Sequence, residues 1–277
     1  MIAEGLVASA AKIVLATVVG LPLLVWLAQE RLIFYQQPVV EAQRAAIEQR
    51  FPATRSVIHS AADGTRLHAW HLGVPGNAAA PLVIYFGGNA EEVSWMLERA
   101  GETPGVGWLL VDYRGYGSSG GSPSEKALVI DALAWFDRAG TLPGVDESRI
   151  LAFGRSLGSG VAVQLAAQRA VRAIILATPY DSLAAVARHY HWYLPVDWML
   201  RHRFDSDRLA PGLKQPLLAL IAERDEVIPP AQAEALFKAW GGPKRRVLLT
   251  GAGHNSTDMH PLFWDAIRAF INEQSKA

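Results

Sequence analysis

From residue 82 onward, short and nearly continuous apolar runs alternate with amphipathic stretches. The apolar runs are Leu82–Phe86, Trp108–Val111, Ile150–Phe153, Ala173–Ala177, Leu217–Ile221 and Val247–Leu249. Their length and lack of alternation predict strands buried on both faces. The stretches between them, Glu91–Ala100, Ser124–Ala139, Leu157–Gln168, Ala231–Trp240 and Pro261–Glu273, repeat their apolar positions with helical period. Strand and helix in regular alternation predict an α/β architecture: a mainly parallel sheet with helices on both faces. Ahead of it, Arg55–His59 and Arg66–His71 flank the turn signal Asp63-Gly64 and predict an antiparallel hairpin at the N-terminal edge.

Two segments break this rhythm. Residues 5–28 are apolar apart from Lys12, long enough to cross a hydrocarbon core of roughly 30 Å as a helix, with Trp26 suited to a headgroup belt. A cleaved signal peptide is the weaker reading, because Trp26-Leu27-Ala28 lacks a small-x-small site, and a helix packed on the domain or on a partner chain is the other alternative. Lys12 opens the segment and Arg31, Arg44 and Arg50 follow it, a distribution that leans toward a cytoplasmic catalytic domain. The expected organisation is an anchor helix over 1–30, a junction over 31–54 and the α/β domain over 55–277. The second break, about 183–214, separates two strands by far more than the usual few residues and is rich in aromatic groups. It is expected to be a small helical cap, with Tyr190, Trp192, Tyr193 and Trp198 as candidate pocket residues.

Composition narrows the chemistry. The chain has 277 residues, 51% of them hydrophobic, which suffices for one large core. Its formal net charge is zero, so a nucleic-acid partner is not expected. With no cysteine, disulfides, thiolate metal sites and a cysteine nucleophile are excluded. No His/Asp spacing resembles a ligand motif, so neither a metal nor a cofactor is expected.

Serine chemistry has a specific candidate. The strand Ile150–Phe153 runs into Gly154-Arg155-Ser156-Leu157-Gly158 and then into a helical pattern. Gly-x-Ser-x-Gly is weak alone, but between strand and helix it is the nucleophile elbow, which lifts a serine hydroxyl onto a sharp turn. A serine needs a general base. His254 lies in a loop directly after the last predicted strand, whereas the other seven histidines fall in the hairpin, the cap or the start of the final helix. An orienting acid is expected after an earlier strand, in the chain order Ser, acid, His. The loop after Ile221 offers Asp225, with Glu223 and Glu226 as local alternatives. Backbone N–H groups of Leu157 and of the loop Phe86-Gly87-Gly88-Asn89-Ala90, with Asn89 preferred, are candidate oxyanion donors.

These motifs, with Asp112-Tyr-Arg-Gly-Tyr-Gly-Ser-Ser-Gly-Gly-Ser-Pro123, occur in an order that resembles the α/β-hydrolase superfamily. The likeness is greatest to its N-terminally anchored, alpha/beta hydrolase domain-containing branch. The resemblance implies the α/β-hydrolase fold, a Ser156–Asp225–His254 triad, and Asn89 and Leu157 as oxyanion donors. It implies a structural role for Asp112 and Arg114. One departure stands out: the family usually carries His-Gly before the oxyanion residue, and this chain has Gly87-Gly88. The expected function is hydrolysis of ester or thioester bonds in small-molecule substrates with apolar acyl groups. A peptidase or amidase of the same fold and a non-catalytic binding protein are the alternatives.

Overall fold

The computed structural model describes residues 2–76 and 79–276, without the side chains of 2–8, 10, 11, 13–18 and 21. Eight strands form one sheet. They are β1 (Thr54–Ser60), β2 (Arg66–Leu72), β3 (Ala80–Phe86), β4 (Gly107–Asp112), β5 (Val145–Arg155), β6 (Ile174–Ala177), β7 (Leu217–Ala222) and β8 (Lys244–Leu249). Their spatial order is β1-β2-β4-β3-β5-β6-β7-β8. β2 is antiparallel to both its neighbours, and every pairing from β4 to β8 is parallel.

Alternate residues of the central strands enter two separate cores, as the two-residue period of a strand requires. Leu82, Ile84 and Phe86 of β3 join one core, and Val83 and Tyr85 the other. The helices, in chain order, are α1 (Ile2–Ile33), α2 (Glu41–Arg50), α3 (Met96–Ala100), α4 (Glu125–Ala139), α5 (Leu157–Ala166), α6 (Leu183–Tyr190), α7 (Val196–Met199), α8 (Ser206–Leu209), α9 (Pro230–Ala239) and α10 (Pro261–Lys276). The first core takes side chains from α4, α5 and α9, and the second from α3 and α10. Each aliphatic side chain fully buried this way contributes roughly 1.5–3 kcal/mol.

The helix expected over Glu91–Ala100 begins late: a turn and a 3-10 segment over Val93–Trp95 precede α3. Glu91 and Glu92 are the reason, because their carboxylates bond nearby backbone amides instead of lying along a helix. Between β6 and β7 the expected insertion is a set of short helices, α6 to α8.

α1 is one helix of 32 residues with Pro22 inside it. Among the described residues no helix is long and apolar enough to cross a membrane. The anchor expected over residues 5–28 falls largely on side chains outside the described set. The C-terminal part of α1 packs on the insertion. Gln29, only 4% exposed, donates to the Met199 carbonyl at 3.1 Å and accepts from the Arg201 N–H at 2.8 Å. Trp26, suited by sequence to a headgroup belt, lies under the Arg201 guanidinium at 4.9 Å. Phe34, just beyond α1, is buried in the first core.

Candidate functional site

β5 ends at Arg155 and α5 begins at Leu157, so Ser156 alone makes the turn. Its φ of 50° and ψ of −117° put a non-glycine residue in the left-handed half of backbone space, at a cost of order 1–3 kcal/mol. The turn is tight enough to explain both motif glycines. A Cβ on Gly154 would overlap the Gly158 carbonyl, and one on Gly158 would overlap the Phe86 carbonyl. The helix N-terminus that follows favours negative charge near the hydroxyl.

Ser156 Oγ lies 3.0 Å from His254 Nε2. The Nδ1 of the same ring is 2.9 Å from both oxygens of Asp225. A carboxylate on Nδ1 fixes the proton there and leaves Nε2 free to accept from the serine. Asp225 is itself held by the N–H groups of Val227, at 2.9 Å, and Ile228, at 2.7 Å. Glu226 and Glu223 have other work: Glu226 accepts from the His254 N–H at 3.1 Å, and Glu223 from the Gly251 N–H at 2.7 Å. Of the three acidic residues in this loop, only Asp225 meets the imidazole; the others clamp the backbone of the histidine loop.

The Gly87–Ala90 loop passes directly beside Ser156, since a Cβ built on Gly88 would lie 3.5 Å from Ser156 Cβ. Among the described residues, neither the Asn89 N–H nor the Leu157 N–H donates a hydrogen bond within the protein. Such amides are ready for an incoming anion. The Asn89 side chain is fully engaged: it donates to the Ile33 carbonyl at 2.7 Å and accepts from the Tyr35 N–H and the Tyr116 hydroxyl, each at 2.9 Å. The Gly87–Ala90 loop is thereby stapled to the end of α1.

Sequence reasoning missed the residue that holds this loop from within. Glu91, 9% exposed, accepts from the Gly88 N–H at 2.6 Å, the Tyr85 hydroxyl at 2.6 Å, Trp95 Nε1 at 3.0 Å and Arg155 Nη1 at 3.1 Å. Burial, followed by the Glu91 charge, pushes the Tyr85 hydroxyl well above its ordinary range, so it remains a donor. Arg155 directly precedes Ser156, so one ion pair braces the β5–α5 turn against the Gly87–Ala90 loop. The Gly87-Gly88 departure now has a physical reason. A Cβ at Gly87 would meet Val93 Cγ1 at 2.8 Å and the Glu91 carboxyl at 3.2 Å, so the space for a histidine is filled. No local sequence signal marks Glu91, because its donors come from separate elements.

The Asp112–Pro123 segment supports the loop from outside. The Tyr113 hydroxyl donates to the Gly87 carbonyl at 2.9 Å. Arg114 grips Asp131 of α4 with two bonds, at 2.6 and 2.8 Å, and also pairs with Asp63 in the β1–β2 turn.

Of the four cap candidates, Tyr190 alone borders the apolar cavity beside the site, and its hydroxyl donates to the Glu226 carbonyl at 2.9 Å. Trp192, Tyr193 and Trp198 are 82%, 61% and 91% exposed and do not line that cavity. They sit in and just after the tight turn between α6 and α7, which carries their rings to the outer surface. Among the described residues no group of three or more His, Asp or Glu side chains could hold a metal ion.

Relatives agree with this frame. The uncharacterized protein Rv2307c of Mycobacterium tuberculosis is 37% identical over 261 residues, 92% of this chain and 91% of its own length. The alpha/beta hydrolase domain-containing protein WAV2 of Arabidopsis thaliana is 29% identical over 193 residues, 63% of each chain. An acetyl xylan esterase from Paenibacillus sp. R4 superposes with a TM-score of 0.65 at 19% identity, over 89% of this chain and 99% of its own. The chain belongs to the α/β-hydrolase superfamily. No family model matches it. As an α/β-hydrolase it has the superfamily's largely parallel sheet, and its antiparallel edge is the β1–β2 hairpin.

Proposed function

We propose that this α/β-hydrolase is a serine hydrolase that cleaves carboxylic ester or thioester bonds through an acyl-serine intermediate, with Ser156 as nucleophile, His254 as base and Asp225 as orienting acid. The observation that carries this reading is the continuous hydrogen-bond line from Ser156 Oγ through the His254 ring to Asp225, on a strained turn beside two unengaged amides.

In the proposed reaction, Ser156 Oγ attacks the substrate carbonyl carbon while His254 Nε2 takes the hydroxyl proton. The former carbonyl oxygen becomes the anion and is received by the Asn89 and Leu157 amides. Collapse breaks the bond to the alcohol or thiol, which leaves with the proton from His254. Water then attacks the acyl-serine, again losing a proton to His254, and the carboxylic acid and free Ser156 are the products. Asp225 holds the ring and stabilises the imidazolium without accepting the proton. An ester is preferred to an amide because the neighbouring cavity is lined almost wholly by apolar groups, which offer a peptide backbone no partners.

Reaction with a fluorophosphonate probe tests this directly. The wild-type chain is expected to be labelled once, at Ser156, and Ser156→Ala to lose both the label and ester turnover by about a thousandfold or more. Asp225→Asn, which changes the tautomer but not the shape, is expected to lower kcat by about four orders of magnitude. Label retained in Ser156→Ala would remove this serine from the mechanism.

Membrane attachment is a separate proposal and stands only on the apolar composition of residues 5–28, with the catalytic domain on the cytoplasmic side. Sedimentation of the full chain with membranes after alkaline carbonate washing tests attachment; release into the wash would end it.

A further inference from the structure

We infer that the leading helix is part of the substrate site: the C-terminal turns of α1 and the cap border a half-open apolar chamber that takes the acyl chain of an ester or thioester with a long apolar acyl group. The inference rests on the serine-hydrolase reading and names the substrate class of that same site.

The chamber has a volume of about 480 Å³, within the range of roughly 300–1,000 Å³ typical of small-molecule sites. One wall is α1, through Trp26 and Ile33; the other is the cap, through Val186 and Met199. Glu226 and Val227 of the acid loop form part of its boundary. No triad side chain lines it, and an acyl chain would not require one, because the tail extends away from the carbonyl carbon. What matters is that two of its lining residues, Ile33 and Glu226, are bonded to loops that carry the proposed reaction centre. Ile33 is hydrogen-bonded to Asn89, whose N–H is the proposed oxyanion donor, and Glu226 is hydrogen-bonded to the backbone of His254. A carbonyl held between those two loops therefore has an apolar space beside it.

The α1 wall is fixed rather than casual. Gln29 is a buried polar residue of α1, and both its hydrogen bonds to other elements go to the cap segment Met199–Arg201. Leaving those groups unpaired would cost more than the bonds themselves contribute, so the contact specifies where α1 sits. Acyl groups would gain by leaving water for this lining, and the gain grows with each methylene.

The experiment uses the full chain and compares p-nitrophenyl acetate with p-nitrophenyl dodecanoate. Wild-type kcat/KM is expected to be at least about tenfold higher for the dodecanoyl ester. Ala187→Trp fills the chamber from the cap and Val25→Trp from α1. Each is expected to lower the dodecanoyl-to-acetyl ratio of kcat/KM by at least about tenfold, and the ratio cancels any loss of folded protein. A ratio unchanged in both variants overturns the chamber and leaves the serine-hydrolase reading standing. If neither ester is hydrolysed and no probe label forms, that reading fails, and dodecanoate binding to Ser156→Ala by calorimetry then decides the chamber alone. Binding abolished by adding Ala187→Trp supports it, and absence of binding ends it.

Discussion

Ser156 is not the only serine here that shares a hydrogen-bond line with a histidine and an aspartate. Ser56 Oγ lies 2.8 Å from His68 Nε2, and His68 Nδ1 lies 2.7 Å from Asp112 Oδ2. The two lines match in residue type and distance, yet their surroundings differ. Ser56 lies within β1, with neither a left-handed backbone nor a helix behind it, and His68 is fully buried. That line ties the β1–β2 hairpin to the Asp112–Pro123 loop, and Asp112 also accepts from the Ser118 N–H at 2.8 Å. What distinguishes Ser156 is strain, a following helix and adjacent amides without an internal acceptor among the described residues, and Glu91 braces the loop and the turn that carry them. Glu91→Gln removes the charge that Arg155 faces and weakens the hold on Gly88. It is expected to lower kcat by about tenfold to a hundredfold with a much smaller change in KM, the signature of lost transition-state stabilisation. Urea unfolding of the same variant is expected to show a loss of about 1–3 kcal/mol, since Tyr85 and Arg155 are left poorly paired. A variant whose KM rises while kcat holds would contradict the positioning role.

At the scale of elements, the β5–α5 turn determines how closely α5 approaches β3. Gly158 lies against the Phe86 and Gly87 carbonyls, so Gly158→Ala must push α5 away from the sheet. The expected cost is about 1–3 kcal/mol by denaturant unfolding, with ester turnover falling further than stability because the Leu157 amide moves with the helix. This unit was legible in the sequence because an apolar run, two glycines at fixed spacing and a helical pattern are all local signals. The same holds for the placement of Asp225 and His254, each directly after a strand. Glu91 was not legible: its donors come from β3, β5 and the turn before α3, and no local pattern announces such convergence. Nor was the orientation of the cap. Composition marks Trp192 and Trp198 as bulky and apolar, but only the geometry of a short turn decides whether such rings face inward.

For the molecule as a whole, two buried histidines make stability depend on pH. Burial, reinforced by Arg55, lowers the pKa of His71, and burial lowers that of His202 despite the nearby Glu30. Both folded values therefore lie below the ordinary 6.5. Above that value neither state carries the proton and nothing is lost. As pH falls through it, the unfolded chain takes up protons that the folded chain refuses, so stability declines. The melting temperature is expected to drop between about pH 7.5 and 6, and His202→Asn, which keeps an acceptor for the Glu125 N–H, is expected to flatten that slope. Burial raises Glu92, Glu125 and Asp181, whose proton uptake acts in the opposite sense and belongs to the carboxylate range. The attachment of α1 through Gln29 bears on how the protein is handled. If the first forty residues are trimmed for solubility, the remaining core lacks one wall of the proposed acyl chamber, and its Asn89 loses the carbonyl and amide it gripped. Substrate preferences measured on such a fragment would describe the fragment, biased toward small esters.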